Sequence, residues 1–188
     1  MSLGSFREYM IREKWVSLRD KNYVMNVNQE PIGYFIRKLV TIRTTYRLKN
    51  MQDITEMIIQ QKLIAVRASF KFYKPAGMAE DNDEVREENY IGMLKKAIFS
   101  IGQKYWFESP NKEKLLEIKG NIWGLKFKIS KGGTQVAEIS KKFWTIRDVY
   151  GVRIDPAVSD EDSLLILASV IVLHIIREQQ RNNRSFFT

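Results

Sequence analysis

The sequence predicts a mainly β protein, a closed antiparallel barrel of about twelve strands around a central hydrophobic C-terminal helix. Three observations carry this prediction. Most of residues 23–154 alternates apolar and polar side chains with period two, the pattern of strands buried on one face. One strand-length segment recurs 24 residues later with its chemistry intact. A late segment, Leu164 to Ile176, is apolar on every side of the helix it would form, which requires burial all round.

The clearest strand is Val40-Thr41-Ile42-Arg43-Thr44-Thr45-Tyr46-Arg47-Leu48, and its copy is Ile64-Ala65-Val66-Arg67-Ala68-Ser69-Phe70-Lys71-Phe72. Each follows a Lys-Leu pair, Lys38-Leu39 and Lys62-Leu63, with Arg43 matching Arg67 and Arg47 matching Lys71. Looser copies follow: Ile91-Gly92-Met93-Leu94 echoes Ile32-Gly33-Tyr34-Phe35, and Leu115 to Ile118 leads into Trp123 to Ile129. Val136 to Lys142 then leads towards Tyr150 to Ile154. Turn residues separate the copies, as at Asn28-Gln29-Glu30-Pro31, Ser109-Pro110-Asn111 and Lys131-Gly132-Gly133. The repeating unit is a strand, a turn and a strand.

A meander of this length exposes two edges unless it closes. A barrel of about twelve strands is too wide for its own side chains to fill, since about eight already reach that limit. The apolar C-terminal segment is the natural filling. Ser159 supplies an N-cap, Asp160, Glu161 and Asp162 an acidic first turn, and Arg177 and Arg181 suit its C-terminal end. The run is 13 residues long, too short for a bilayer span of roughly 20. One domain is expected over residues 1–188, with strands at about 15–154, an acidic loop at 75–89 and the core helix at about 160–180. A cytoplasmic protein, peripheral at most to a membrane, is the expected setting.

Composition excludes much chemistry. With no Cys there is no disulfide framework and no thiolate nucleophile or ligand, and the single His174 leaves little scope for a metal site or a catalytic triad. His174, in an apolar helix, reads as a hydrogen-bonded residue near the barrel mouth. No carboxylate pair stands out for acid–base work, and Gly132-Gly133 lacks the Gly-Lys-Ser/Thr of a phosphate loop. Asp81-x-Asp83 begins like a calcium loop but has Arg86 where glycine is needed, so a solvated loop is expected. No enzyme and no cofactor are expected.

The order of these features resembles the LURP-one-related family of the tubby C-terminal-like superfamily, in particular its prokaryotic members. The carriers are Tyr9-Met10-x-Arg12-Glu13-Lys14-Trp15-Val16-Ser17, the paired Lys-Leu units, Ile118-Lys119-Gly120-Asn121-Ile122, Ile139-Ser140-Lys141-Lys142, and Asp148-Val149-Tyr150-Gly151-Val152 followed by Leu164 to Ala168. The resemblance spans about residues 9–176. It implies a twelve-stranded barrel around a C-terminal helix, and kinship with tubby proteins, which bind phosphoinositide headgroups, and with phospholipid scramblases. Two departures are the Leu173-His174 pair, where the family often ends its helix with Asp, and the acidic loop. No tubby lipid-binding motif maps onto this chain.

The remaining functional signal is charge. The chain carries +9, but residues 80–88 hold six acids against one Arg, a net of −5 that leaves +14 elsewhere. If even positions of Val40 to Leu48 face inward, the cations face out. The candidate anion-binding residues are Arg43, Arg47, Arg67, Lys71, Lys126, Lys128, Lys141, Lys142 and Arg147, with Lys104 and Arg153 sharing the outward parity. Ser140-Lys141-Lys142-Phe143-Trp144 is the densest basic–aromatic stretch. The leading expectation is a non-enzymatic module whose basic barrel surface binds a phosphoinositide or other acidic lipid headgroup. The alternatives are a protein-interaction scaffold, nucleic-acid binding through the same face, a barrel wall whose cations serve only solubility and, last, an enzyme with its site at the barrel mouth.

Overall fold

The computed structural model describes residues 1–12, 21–39, 44–62, 69–76, 85–97, 102–143 and 149–185; the side chains of 38, 39, 142 and 183–185 fall outside that description. The described residues form twelve strands: β1 (Glu8–Arg12), β2 (Asn22–Met25), β3 (Pro31–Leu39), β4 (Thr44–Asn50), β5 (Thr55–Gln61), β6 (Ser69–Tyr73), β7 (Tyr90–Lys96), β8 (Gln103–Glu108), β9 (Lys114–Asn121), β10 (Lys126–Lys131), β11 (Thr134–Ser140) and β12 (Val149–Ile154). Each pairs antiparallel with its chain neighbour, and β1 pairs with β12 to close the barrel. The helix α1 (Asp160–Ser185) follows β12.

The closed barrel and its single long helix are those the sequence predicts. The first strand is earlier than the expected start near residue 15, and the reason is chemical. Tyr9 and Ile11 face the main core, while Met10 packs outside with Met25 and Val149, so both faces of β1 are apolar and its alternation is hidden.

Helix and barrel share one core. Leu165 to Val172, apart from Ser169, are apolar and buried, as are Phe35, Phe70, Phe72, Phe107, Phe127 and Ile139 of the wall. Ser159 caps the helix by accepting the backbone N–H of Asp162 at 3.2 Å. At this entry end Arg7 pairs with Asp160 at 2.8 Å, and Lys131 pairs with Asp162. At the exit end Gln61 and Gln179 exchange amide hydrogen bonds of 3.3 and 2.9 Å, tying β5 to the last turns of α1.

The repeat has a structural meaning beyond the hairpin. The pairings β2–β3, β4–β5, β6–β7, β8–β9 and β10–β11 each shift register by one residue. The unmatched residues are Ile32, Glu56, Ile91, Leu115 and Val136, each near the start of an odd-numbered strand and all at the helix-entry end. A bulge bends its strand and re-aims one side chain; here Ile32, Ile91, Leu115 and Val136 pack against the core. Glycine follows two of them because space runs out. A Cβ on Gly33 would lie 2.7 Å from Leu3, and one on Gly92, at φ +144°, would lie 2.5 Å from the Phe107 ring. The Ile-Gly echo in the sequence is therefore a bulge followed by a close approach.

Candidate anion-binding surface

On β8, β9 and β10 the outward positions come into register. Lys104 stands opposite Lys119, and Lys119 stands opposite Lys128. Core residues Ile118, Phe127 and Ile129 alternate with them, which forces the lysines onto the outer wall. Neighbouring strands lie about 4.8 Å apart, so three ammonium groups occupy a row about 10 Å long. Lys126 projects from the same face two residues before Lys128 and, like it, is exposed.

Like charges directly opposite one another weaken a sheet. One carboxylate offsets part of this repulsion. Glu117 binds Lys104 at 2.8 Å and Lys119 from its other oxygen, and lies 3.8 Å from Lys114. The hydrogen bonds from Lys104 and Lys119 pull the Glu117 carboxyl down to about 2. Lys126 and Lys128 make no ion pair among the described residues. Glu138 of β11 stands opposite Lys128, so five lysines meet two glutamates and the patch stays positive.

The β9–β10 turn places an aromatic beside these cations. Asn121 Oδ1 accepts the backbone N–H groups of Trp123 at 2.9 Å and Gly124 at 3.2 Å, an Asx turn that fixes residues 121–124. The Trp123 side chain is 38% exposed, unusual for so large an apolar group.

The candidate residues divide sharply. Lys126 and Lys128 are brought together with Lys104 and with Lys119, which parity alone had not singled out. Lys71 is on the outer face of β6 but engaged locally, 3.1 Å from Glu87 and over the Tyr90 ring at 5.3 Å. Arg47 is a correction. Its parity is outward, opposite to core residues Tyr46 and Leu48, yet it is only 6% exposed and flanked across the sheet by Ile36 and the fully buried Ile58. An outward position on this wall is therefore not a solvent position, and Arg47 is not displayed to a ligand. Lys141 is half-buried in the 3-10 turn Lys141–Phe143. Arg43, Arg67, Arg147, Trp144 and the acidic pair Asp81 and Asp83 lie outside the described residues, as does the Lys142 side chain. Arg153 pairs with Glu8 at 2.9 Å and lies 4.4 Å over the Phe143 ring.

His174 sits in the core, stacked on Tyr150 and 3.1 Å from its hydroxyl through Nδ1. Burial, reinforced by the cations Arg177 and Arg181, lowers its pKa to about 3, so the ring is neutral. Among the described residues no cluster of His, Cys, Asp and Glu has the arrangement of a metal site. Nor, among them, is any helix long and apolar enough to cross a membrane.

A barrel whose interior is occupied by its own helix, with its cations gathered on the outside wall, is of the binding-module kind. The chain belongs to the LURP-one-related family, whose profile matches residues 7–174; that family is not known as enzymatic. A protein from Arabidopsis thaliana solved by X-ray crystallography shares the fold, with a TM-score of 0.62 over 90% of this chain and 91% of that one. The two are 9% identical, so the likeness is one of fold. No curated protein matches the chain in sequence.

Proposed function

We propose that the protein is a non-enzymatic binding module that holds an acidic lipid headgroup, a phosphoinositide foremost, on the lysine patch of β8–β10. The observation that carries this reading is the in-register row Lys104, Lys119 and Lys128, with Glu117 bound to two of its lysines and Glu138 standing opposite the third. A phosphate placed over the row relieves repulsion already present in the fold and forms charge-assisted hydrogen bonds. Trp123, exposed at the adjoining turn, favours a membrane surface over a free phosphate or nucleic-acid backbone. Tryptophan partitions to the headgroup level of a bilayer, where its ring is buried and its N–H stays wet.

Co-sedimentation with phosphatidylcholine vesicles, with and without a phosphoinositide, tests the proposal. Binding should require the anionic lipid and weaken as salt rises, because exposed charges are screened within about 10 Å at moderate ionic strength. Equal binding to neutral vesicles, or none to either, contradicts it. A shift in favour of RNA over vesicles identifies the polyanion alternative.

A further inference from the structure

The lysine row already holds an anion of its own. In the cross-strand pairing Glu117 stands between Trp106 and Ser130, so no cation of its own row engages it. Its carboxylate reaches the next row instead, where Lys104 and Lys119 face each other directly. One oxygen accepts from Lys104 at 2.8 Å and lies 3.8 Å from Lys114, and the other accepts from Lys119. Two oxygens of one anion shared between two facing ammonium groups is the arrangement a bridging phosphate needs.

The carboxylate can leave this place although its backbone cannot. Leu116 and Ile118, on either side, are buried members of the core, so the strand is fixed at Glu117. The side chain is partly solvated, and Lys114, with 51% of its side chain exposed, offers a second partner on the same strand. Ion pairs this exposed are weak enough to exchange. Glu138 provides a contrast within the same patch. It continues the row of Lys104, Lys119 and Lys128 and stands opposite both Lys128 and Arg153. Among the described residues it makes no ion pair, and Arg153 pairs with Glu8 instead.

Charge decides the exchange. A carboxylate carries a single negative charge, whereas a phosphomonoester carries about −1.5 to −2 near neutral pH. We infer that Glu117 is a built-in competitor, which occupies the place of a phosphate between Lys104 and Lys119 and yields it to a phosphomonoester dianion by turning to Lys114. A singly charged phosphodiester replaces one charge by an equal one and gains nothing there. The inference rests on the use of the row for anions proposed above; it adds the group the anion must displace and the charge it must bring.

Glu117→Gln and Glu138→Gln test it as a pair, because both change the net charge equally and raise long-range attraction to anions alike. Two probes are used: phosphatidylcholine vesicles carrying a phosphatidylinositol monophosphate, and soluble inositol monophosphate without lipid. Glu117→Gln should tighten binding more than about tenfold, and Glu138→Gln less than about fivefold. Carbon-13 NMR of the wild-type chain gives a second readout that needs no variant. The Glu117 carboxylate resonance should move as inositol monophosphate binds and stay in place with dimethyl phosphate, a singly charged diester. With vesicle binding intact, equal gains in the two variants or a loss in Glu117→Gln would overturn the inference and leave the lipid reading standing. A carboxylate resonance that ignores inositol monophosphate, or follows both phosphates equally, would overturn it too. Tighter inositol monophosphate binding by Glu117→Gln, with no vesicle binding by any chain, would sustain the competitor and overturn the lipid reading. If no chain binds either probe, the row is no anion site and both fall.

Discussion

The two ends of β9 show how one repeat builds two different surfaces. At Lys114 and Leu115 the pairing with β8 slips by one residue and an apolar side chain turns into the mouth of the barrel. At Lys119 the pairing with β8 and with β10 is regular, so parity is kept across three strands and three lysines stand in line. A bulge thus removes a side chain from the wall and gives it to the interior, whereas regular pairing keeps like residues facing the same way. The bulged entry end holds a pocket, and the basic, regular wall near the exit end holds a row of cations. Four residues, about 13 Å of strand, separate Leu115 from Lys119.

Perturbing each end should produce effects that stay local. The largest change is expected from Gly92→Ala, which puts a methyl group 2.4 Å from the Glu108 carbonyl oxygen and 2.5 Å from the Phe107 ring at a φ that disfavours any side chain. Loss of about 3 kcal/mol of stability in urea melts is expected. Next comes reversal of the lysine row. Lys119→Glu with Lys128→Glu should lower affinity for phosphoinositide vesicles on the order of a hundredfold, taking about 1 kcal/mol for each unit of surface charge changed as a ceiling. Melting temperature should change little beside that loss.

A smaller effect is expected from pH. His174 has a pKa near 6.5 when unfolded and about 3 in the fold. Between these values the unfolded chain binds the additional proton, so stability is full above 6.5 and falls as pH drops through the window. The slope should approach 1.4 kcal/mol per pH unit, and His174→Phe should flatten it in denaturant melts near pH 5. A slope unchanged by the substitution assigns the acid sensitivity to other groups. The smallest effect is that of Trp123→Ala, a several-fold loss of vesicle affinity with stability within about 0.5 kcal/mol of wild type, since its side chain is well exposed.

The barrel was legible because its signals are local or periodic. Period-two alternation marks most strands, the 24-residue repeat marks the hairpins, and Leu164 to Ile176 can only be interior. The site was legible in part. Parity alone placed Lys126 and Lys128 on the outer wall, but Lys119 gains its meaning from standing between Lys104 and Lys128, and register across strands is not written in any one of them. Arg47 shows the converse, since its parity is right and its burial depends on what surrounds it on the outer face. The entry pocket was hidden for a related reason. Glu56 and Ile91 look like neighbours of a strand start, and their inward turn arises from a slip in pairing with β4 and β6. A single sequence signal did foreshadow it, the Ile-Gly pair at 32–33 and again at 91–92.

On the proposed function, the β9–β10 end of the wall meets an anionic membrane while the entry end faces away. The chain has no cysteine, so single labels go only where they are introduced. An environment-sensitive fluorophore attached to Gly124→Cys, in the β9–β10 turn, should shift to the blue on phosphoinositide vesicles. The same label on Asn111→Cys, in the β8–β9 turn at the far end, should not. Equal shifts at both positions, or a shift at residue 111 alone, would contradict the account.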